Sequence, residues 1–143
     1  MIRVTVPASR RRTILVVDDE PEMRALFERI LSAEEADLLG ARTGAEALAI
    51  ARRTRLDLVV LDVKLPDVSG TEVLRRLRKR DDGLPVVMVT SYGSADTVRT
   101  CMRLGAFDYV TKPFDIQEIK RIVREALTSV AREAVPPMGI RGG

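Results

Sequence analysis

Histidine is absent from the 143 residues. That excludes a histidine general base, a histidine metal ligand and phosphorylation on histidine within this chain. Tryptophan is also absent, and aromatic residues make up only 3%, so the core must be built from Val, Leu, Ile and Ala. The single cysteine, Cys101, permits no internal disulfide and suits a reducing cytosol. Its simplest reading is a small buried hydrophobe on a helix. No apolar run approaches the ~20 residues that a membrane span needs. The opening MIRVTVPASRRR has no apolar stretch of the kind that marks a secretory signal. The expected location is therefore cytoplasmic, with no membrane partner. No internal repeat or low-complexity segment appears.

What is present fits one globular domain: 45% hydrophobic residues and 31% charged. The net charge is +3, but its distribution is uneven. Residues 1–12 hold Arg3, Arg10, Arg11 and Arg12, while Glu133 and Arg141 cancel in the tail. The body between them is close to neutral, so the charge is no general signature of nucleic-acid binding. The expected organisation is a basic, disordered arm over 1–12, a folded domain over 13–131, and a linker or loose tail over 132–143. VPPMGIRGG cannot continue a helix.

Short apolar runs alternate with amphipathic stretches. TILVV (13–17), a weak segment around Leu38–Ala41, LDLVVLD (56–62), PVVMVTS (85–91) and FDYVT (107–111) read as strands. Between them lie helical patterns. Pro21 opens the first, with Met23, Leu26, Phe27, Ile30 and Leu31 as its apolar stripe. Thr43 caps the second, with Ala47, Leu48 and Ala51 facing inward. The loop Pro66, Asp67, Ser69, Gly70 leads to the third, which carries Val73, Leu74 and Leu77 and ends in Arg78-Lys79-Arg80. Ser94 caps the fourth, which carries Val98, Met102 and Leu104 and stops at Gly105. Asp115 caps the fifth, which runs to about Arg132. Five strands alternating with five helices imply an α/β fold with a parallel sheet covered on both faces.

Ligands in such sheets sit beyond the carboxyl ends of the strands. The first strand ends in Asp18 and Asp19, the third in Asp62 and the fourth in Thr90 and Ser91. Lys112 follows the fifth. If the first and third strands are neighbours, three carboxylates share one crevice and their repulsion must be offset. A hard cation such as Mg²⁺ would do so with oxygen ligands. Acids, lysine and a hydroxyl together suit phosphoryl transfer, with a carboxylate as covalent acceptor. Each residue alone has a plainer reading. Asp18, Asp19 and Glu20 can cap the helix at Pro21. Asp62 can be a turn residue, Thr90 a strand residue, Lys112 a solvated lysine, and Phe107 and Tyr109 part of the core.

ILVVDDEP, LVVLDVKLPDVSG, VVMVTSYGS and GAFDYVTKPF, in this order and spacing, resemble the receiver domains of two-component response regulators over about residues 13–131. Tyr92-Gly93-Ser94 is most similar to receivers of the nitrogen-regulation type, which commonly precede AAA+ transcription-activating domains. The resemblance implies a flavodoxin-like doubly wound sheet with strand order 2-1-3-4-5. It implies that Asp62 accepts a phosphoryl group from a sensor histidine kinase and that Mg²⁺ (or Mn²⁺) is the cofactor. Asp19 would bind the ion directly, Asp18 chiefly through water, and Asp62 and the Lys64 backbone carbonyl would complete the protein ligands. Thr90 and Lys112 would contact phosphoryl oxygens. Thr90 and Tyr109 would form the switch, and Lys112-Pro113 matches a peptide often cis in this family. The side chain of Lys64 could stabilise the phosphoryl charge, hinder attacking water or point into solvent, and the small Ser91 would keep the site open.

The implied partners are the kinase and a downstream output domain or partner protein, in transcription regulation. A homodimer through the fourth helix, fifth strand and fifth helix is plausible by the same resemblance. A kinase would dock, by the same resemblance, on the first helix and the loop after the fifth strand, with Arg24, Ala25 and Glu28 as exposed candidates on the helix by helical phase. No substrate turnover is expected. The residues after Ala131 leave no room for a DNA-reading module, so no specific DNA binding by this chain alone is expected. Two other readings compete. A phosphate-independent binding scaffold would use the same fold. A phosphohydrolase of the haloacid dehalogenase kind would need D-x-D-x-[TV] on the first strand, where this chain has Asp-Asp-Glu-Pro-Glu over 18–22.

Overall fold

The computed structural model describes residues 11–91 and 93–134. Most of the basic arm, the tail after Ala134 and Tyr92 lie outside the described residues, as do the side chains of 130–134. Five strands and five helices alternate: β1 (Arg12–Val17), α1 (Pro21–Ile30), β2 (Ala36–Ala41), α2 (Gly44–Arg53), β3 (Leu58–Leu61), α3 (Gly70–Arg80), β4 (Val86–Thr90), α4 (Ala95–Arg103), β5 (Asp108–Thr111) and α5 (Ile116–Ala134). Among the described residues, the five strands pair in parallel, in the order β2-β1-β3-β4-β5. The flavodoxin-like topology expected from the sequence is thus the one observed.

The nearly unbroken apolar runs of β1, β3 and β4 follow from burial on both faces. Alternate residues serve opposite sides. Leu15, Val17, Val59, Leu61, Val86 and Met88 point into one cluster, with Ala47, Ile50, Val73, Leu74, Leu77 and Cys101 from α2, α3 and α4. Ile14, Val16, Leu58, Val60, Val87 and Val89 point into the other, with Phe27 and Ile30 of α1 and Ile119, Ile122 and Val123 of α5. Phe27 and Phe114 meet with ring centroids 5.7 Å apart and join α1 to the start of α5.

Local signals account for the helix ends. Thr43, Ser69 and Ser94 each accept a backbone N–H in the first turn of the helix they precede. The Asp115 carboxylate accepts from Gln117 N–H. Gly105, at φ +98°, ends α4 in a conformation that costs glycine least. Lys112-Pro113 is cis, as the resemblance implied.

One inward and one surface assignment need correction. On α4 it is Cys101 that is fully buried, while Met102 is 44% exposed. The apolar set on this helix is wider than its contact face, and the sheet selects the Cys101 side. On α2, Ala47 is buried together with Ile50, and the half-buried Leu48 and Ala51 pack against the same cluster, so all three expected residues face inward. Arg24 is half-buried rather than exposed, because its guanidinium donates to the Asp18 carbonyl at 2.7 Å.

Candidate functional site

The β1–β3 register sets the site. Val17 lies beside Leu61, so Asp18 and Asp62 leave the sheet side by side. The ladder continues one step further on each side: Asp62 N–H donates to the Val17 carbonyl at 3.0 Å, and Asp18 N–H to that of Ala41 at 3.0 Å. Asp18, Asp19 and Asp62 each place a carboxylate oxygen within 4.8 Å of the others. Asp18 and Asp62 are buried and Asp19 is exposed. The crevice is an open cleft of ≈ 270 Å³ whose lining includes Asp19, Asp62, Lys64, Ser91 and Lys112.

Lys112 reaches into this cluster from the end of β5. Its ammonium donates to Asp18 at 2.8 Å and to Asp62 at 3.1 Å, with Glu20 at 3.9 Å. The side chain is only 13% exposed. Burial opposes its charge, but the Asp18 hydrogen bond and the charges of Asp62 and Asp18 outweigh burial and raise its pKa. It is therefore held as a cation. For Asp18, burial is the largest influence and raises the carboxyl pKa, against the pull of Lys112 and the Glu20 N–H. Repulsion from Asp62 adds to the rise.

Asp18 also performs the plainer role open to it. Its Oδ1 accepts the Glu20 N–H at 2.9 Å just ahead of α1, while its Oδ2 takes Lys112. Glu20 itself makes no side-chain cap. Asp62 Oδ1 accepts the Lys64 N–H at 3.0 Å and so turns the chain after β3. Thr90 ends β4 and is 1% exposed; its carbonyl accepts the Lys112 N–H at 2.9 Å. Tyr109, half-buried on β5, packs against the cluster that holds Cys101. Burial raises its pKa, with smaller contributions from Cys101 and Asp62.

Sequence reasoning treated three supporting residues only as loop. A Cβ on Gly70 would lie 2.1 Å from the Asp62 carbonyl oxygen, so α3 starts hard against the backbone that carries Asp62. Asp67 reaches across to α2 and accepts from Gly44 N–H at 2.8 Å and Ala45 N–H at 2.9 Å. Those bonds lower its pKa. Lys64 and Ser69 form a bridge that closes the loop between them. Gly70 was signalled by its place after a turn-rich run, whereas nothing in the sequence pairs Asp67 with α2.

The donor set at the crevice is hard oxygen throughout, with no sulfur or imidazole. It fits Mg²⁺ or Mn²⁺ rather than a soft metal.

The response regulator receiver domain family matches residues 14–124. The chain is 39% identical over 117 residues to response regulator protein PilR of Pseudomonas aeruginosa, covering 82% of itself and 26% of PilR. It is 38% identical over 114 residues to sporulation initiation phosphotransferase F of Bacillus subtilis, covering 80% of itself and 92% of that protein. The structure superposes on a CheY-like receiver from Methanospirillum hungatei with TM-score 0.83 and 31% identity, covering 87% and 99% of the two chains. The NtrX receiver from Brucella abortus gives TM-score 0.75 and 35% identity, covering 80% and 98%. PilR and NtrX are regulators of the AAA+ activator type, in keeping with the nitrogen-regulation resemblance. Among the described residues, no helix is long and apolar enough to cross a membrane. The chain belongs to the response regulator receiver domains, modules of phosphorylation-based signalling, and it spans about a quarter of PilR's length.

Proposed function

We propose that this receiver accepts a phosphoryl group on Asp62 from a phosphohistidine of a sensor histidine kinase. The observation that carries the reading is the cluster of Asp18, Asp19 and Asp62 with the Lys112 ammonium between two of them. An Asp62 oxygen attacks phosphorus. A P–O bond forms, the P–N bond breaks, and its electron pair leaves with the imidazole. Asp19, Asp62 and the Lys64 backbone carbonyl would hold Mg²⁺ or Mn²⁺, with Asp18 acting chiefly through water, and the ion would supply charge neutralisation for the transferring group. Lys112 moves from carboxylate to phosphoryl oxygen, exchanging one anion for another at little cost. The Thr90 hydroxyl donates to a second phosphoryl oxygen.

The new charge biases a bistable surface. As Thr90 is drawn toward the phosphoryl group, the half-buried Tyr109 turns further inward. The face of α4, β5 and α5 repacks and controls an output domain or partner in transcription regulation. The same face serves a homodimer. The folded unit runs over 13–131, and the protein acts in the cytoplasm. The chain assists its own phosphorylation and dephosphorylation without turning over a separate substrate.

The test is intact-protein mass spectrometry after incubation with acetyl phosphate, with and without Mg²⁺, on wild type and Asp62→Asn. The expected result is a Mg²⁺-dependent gain of one phosphoryl group that Asp62→Asn lacks. No gain in wild type, from acetyl phosphate or from a kinase, would turn the reading to a phosphate-independent scaffold. A gain retained by Asp62→Asn would move the acceptor elsewhere.

A further inference from the structure

At the end of the sheet opposite the carboxylates, α2 and α3 finish side by side. Arg80 of α3 donates to the Arg52 carbonyl at 3.1 Å. Between these helix ends lies a cleft of ≈ 370 Å³. Leu56, Leu77 and Leu84 line it, and Arg55, Arg80 and Asp81 stand at its rim. Arg52, Arg53, Arg55, Lys79 and Arg80 are all exposed. Among the described residues, the side chains of Arg52, Arg53, Arg55 and Lys79 make no hydrogen bond or ion pair.

The plain explanation is that cations suit helix C-termini. Each terminus carries only about half a negative charge. Two termini with Asp57, Asp81 and Asp82 do not balance Arg52, Arg53, Arg55, Arg78, Lys79 and Arg80. The surplus is a local positive field on a body that is close to neutral overall. An apolar floor with Arg55 and Arg80 at its rim, and with Arg52, Arg53 and Lys79 exposed on the same helix ends, matches neither a bare polyanion nor a neutral peptide. No aromatic ring lines the cleft for base stacking, so its chemistry favours protein over nucleic acid.

We propose that this base of α2 and α3 is a docking surface for an acidic segment of a partner protein, one that sets a Leu-sized anchor over Leu56 and Leu84 and Glu or Asp side chains against Arg55 and Arg80. It lies at the far end of the strands from Asp62, so a partner held here leaves the phosphoryl crevice open. Such an interaction sets specificity and association rate and weakens with salt.

The test is fluorescence anisotropy of the full chain with short labelled peptides. One carries Glu with Leu at helical spacing, one Glu with Ser at the Leu positions, and one Lys with Leu. A short DNA duplex is the fourth probe. The Glu/Leu peptide is expected to bind, and the Lys/Leu peptide is not. Affinity for the Glu/Leu peptide should fall by about tenfold or more in Arg55→Glu, as expected when charge complementarity is reversed. The Arg55 side chain holds no bond among the described residues, so a circular dichroism melt and acetyl phosphate labelling of Asp62 should match wild type. Equal binding of the Glu/Ser peptide would overturn the apolar anchor. Binding unaffected by the variant would overturn the location. Tighter binding of the duplex than of the Glu/Leu peptide would assign the surface to nucleic acid instead.

Discussion

Asp18 is nearly sealed, its side chain 4% exposed, and its carboxyl pKa is raised chiefly by burial. A raised carboxyl pKa means that the charged form is the costly one in the fold. The protonated form therefore stabilises the fold, fully so below the ordinary value of 3.8 and no longer once pH has risen through the folded value. Asp18→Asn should accordingly be more favourable to stability at neutral pH, without divalent ions, than it is in acid. The advantage should vanish below the ordinary carboxyl range. Urea titrations at both pH values check this, and an equal effect at the two would remove the assigned strain. The same substitution should weaken Mg²⁺ binding. Asp19→Asn should weaken Mg²⁺ binding as well, and isothermal titration measures both. The crevice was legible at this scale because acids at strand ends have few structural uses in combination. The buried Asp57 was not. It reads like Asp62 in the sequence, yet it lies at the other end of the sheet, where its carboxylate accepts the Thr13 N–H at 2.8 Å. Only the pairing of β1 with β3 separates the two roles.

At the scale of elements, the loop after β3 is braced twice. Gly70 lets α3 begin against the Asp62 backbone. Gly70→Ala forces a Cβ onto a carbonyl oxygen that cannot swing aside, so a loss of about 3 kcal/mol in urea unfolding is expected, with slower labelling of Asp62. Wild-type stability would mean that α3 can shift freely. Asp67 braces the loop from α2, and its pKa is lowered by the Gly44 and Ala45 N–H groups. A lowered pKa contributes stability above the ordinary value of 3.8 that is lost as pH falls through the lower folded value. Asp67→Asn should therefore destabilise at neutral pH and converge with wild type in strong acid. Melts across that range check it. Strands and caps were legible because periodicity and side-chain oxygens are local signals. The inward face of α4 was not, since Val98, Cys101, Met102 and Leu104 offer more apolar surface than one helix face can bury.

Across the whole molecule, Mg²⁺ binding and stability are linked. At ten times its dissociation constant, the ion should add about 1.4 kcal/mol. Asp19→Asn should lose most of that increment at the same concentration. A thermal shift series with MgCl₂ reads both, and an equal response in the two proteins would place the ion elsewhere. Fold class was legible at this scale because alternating strand and helix patterns permit few topologies. The clustering of α2 and α3 cations was not, because ARRTR and LRRLRKR lie apart in the sequence and meet only through parallel packing. The strand order has one more consequence, for the order of synthesis. β1 is complete by Val17, yet its two neighbours begin at Ala36 and Leu58. The first strand off the ribosome must wait for later ones, as in any sheet whose contacts are long-range. Asp18 and Asp62 can come together as soon as β3 pairs with β1, but Lys112 emerges fifty residues after Asp62. A nascent chain paused between the two has closed half its sheet around anions that still lack their cation.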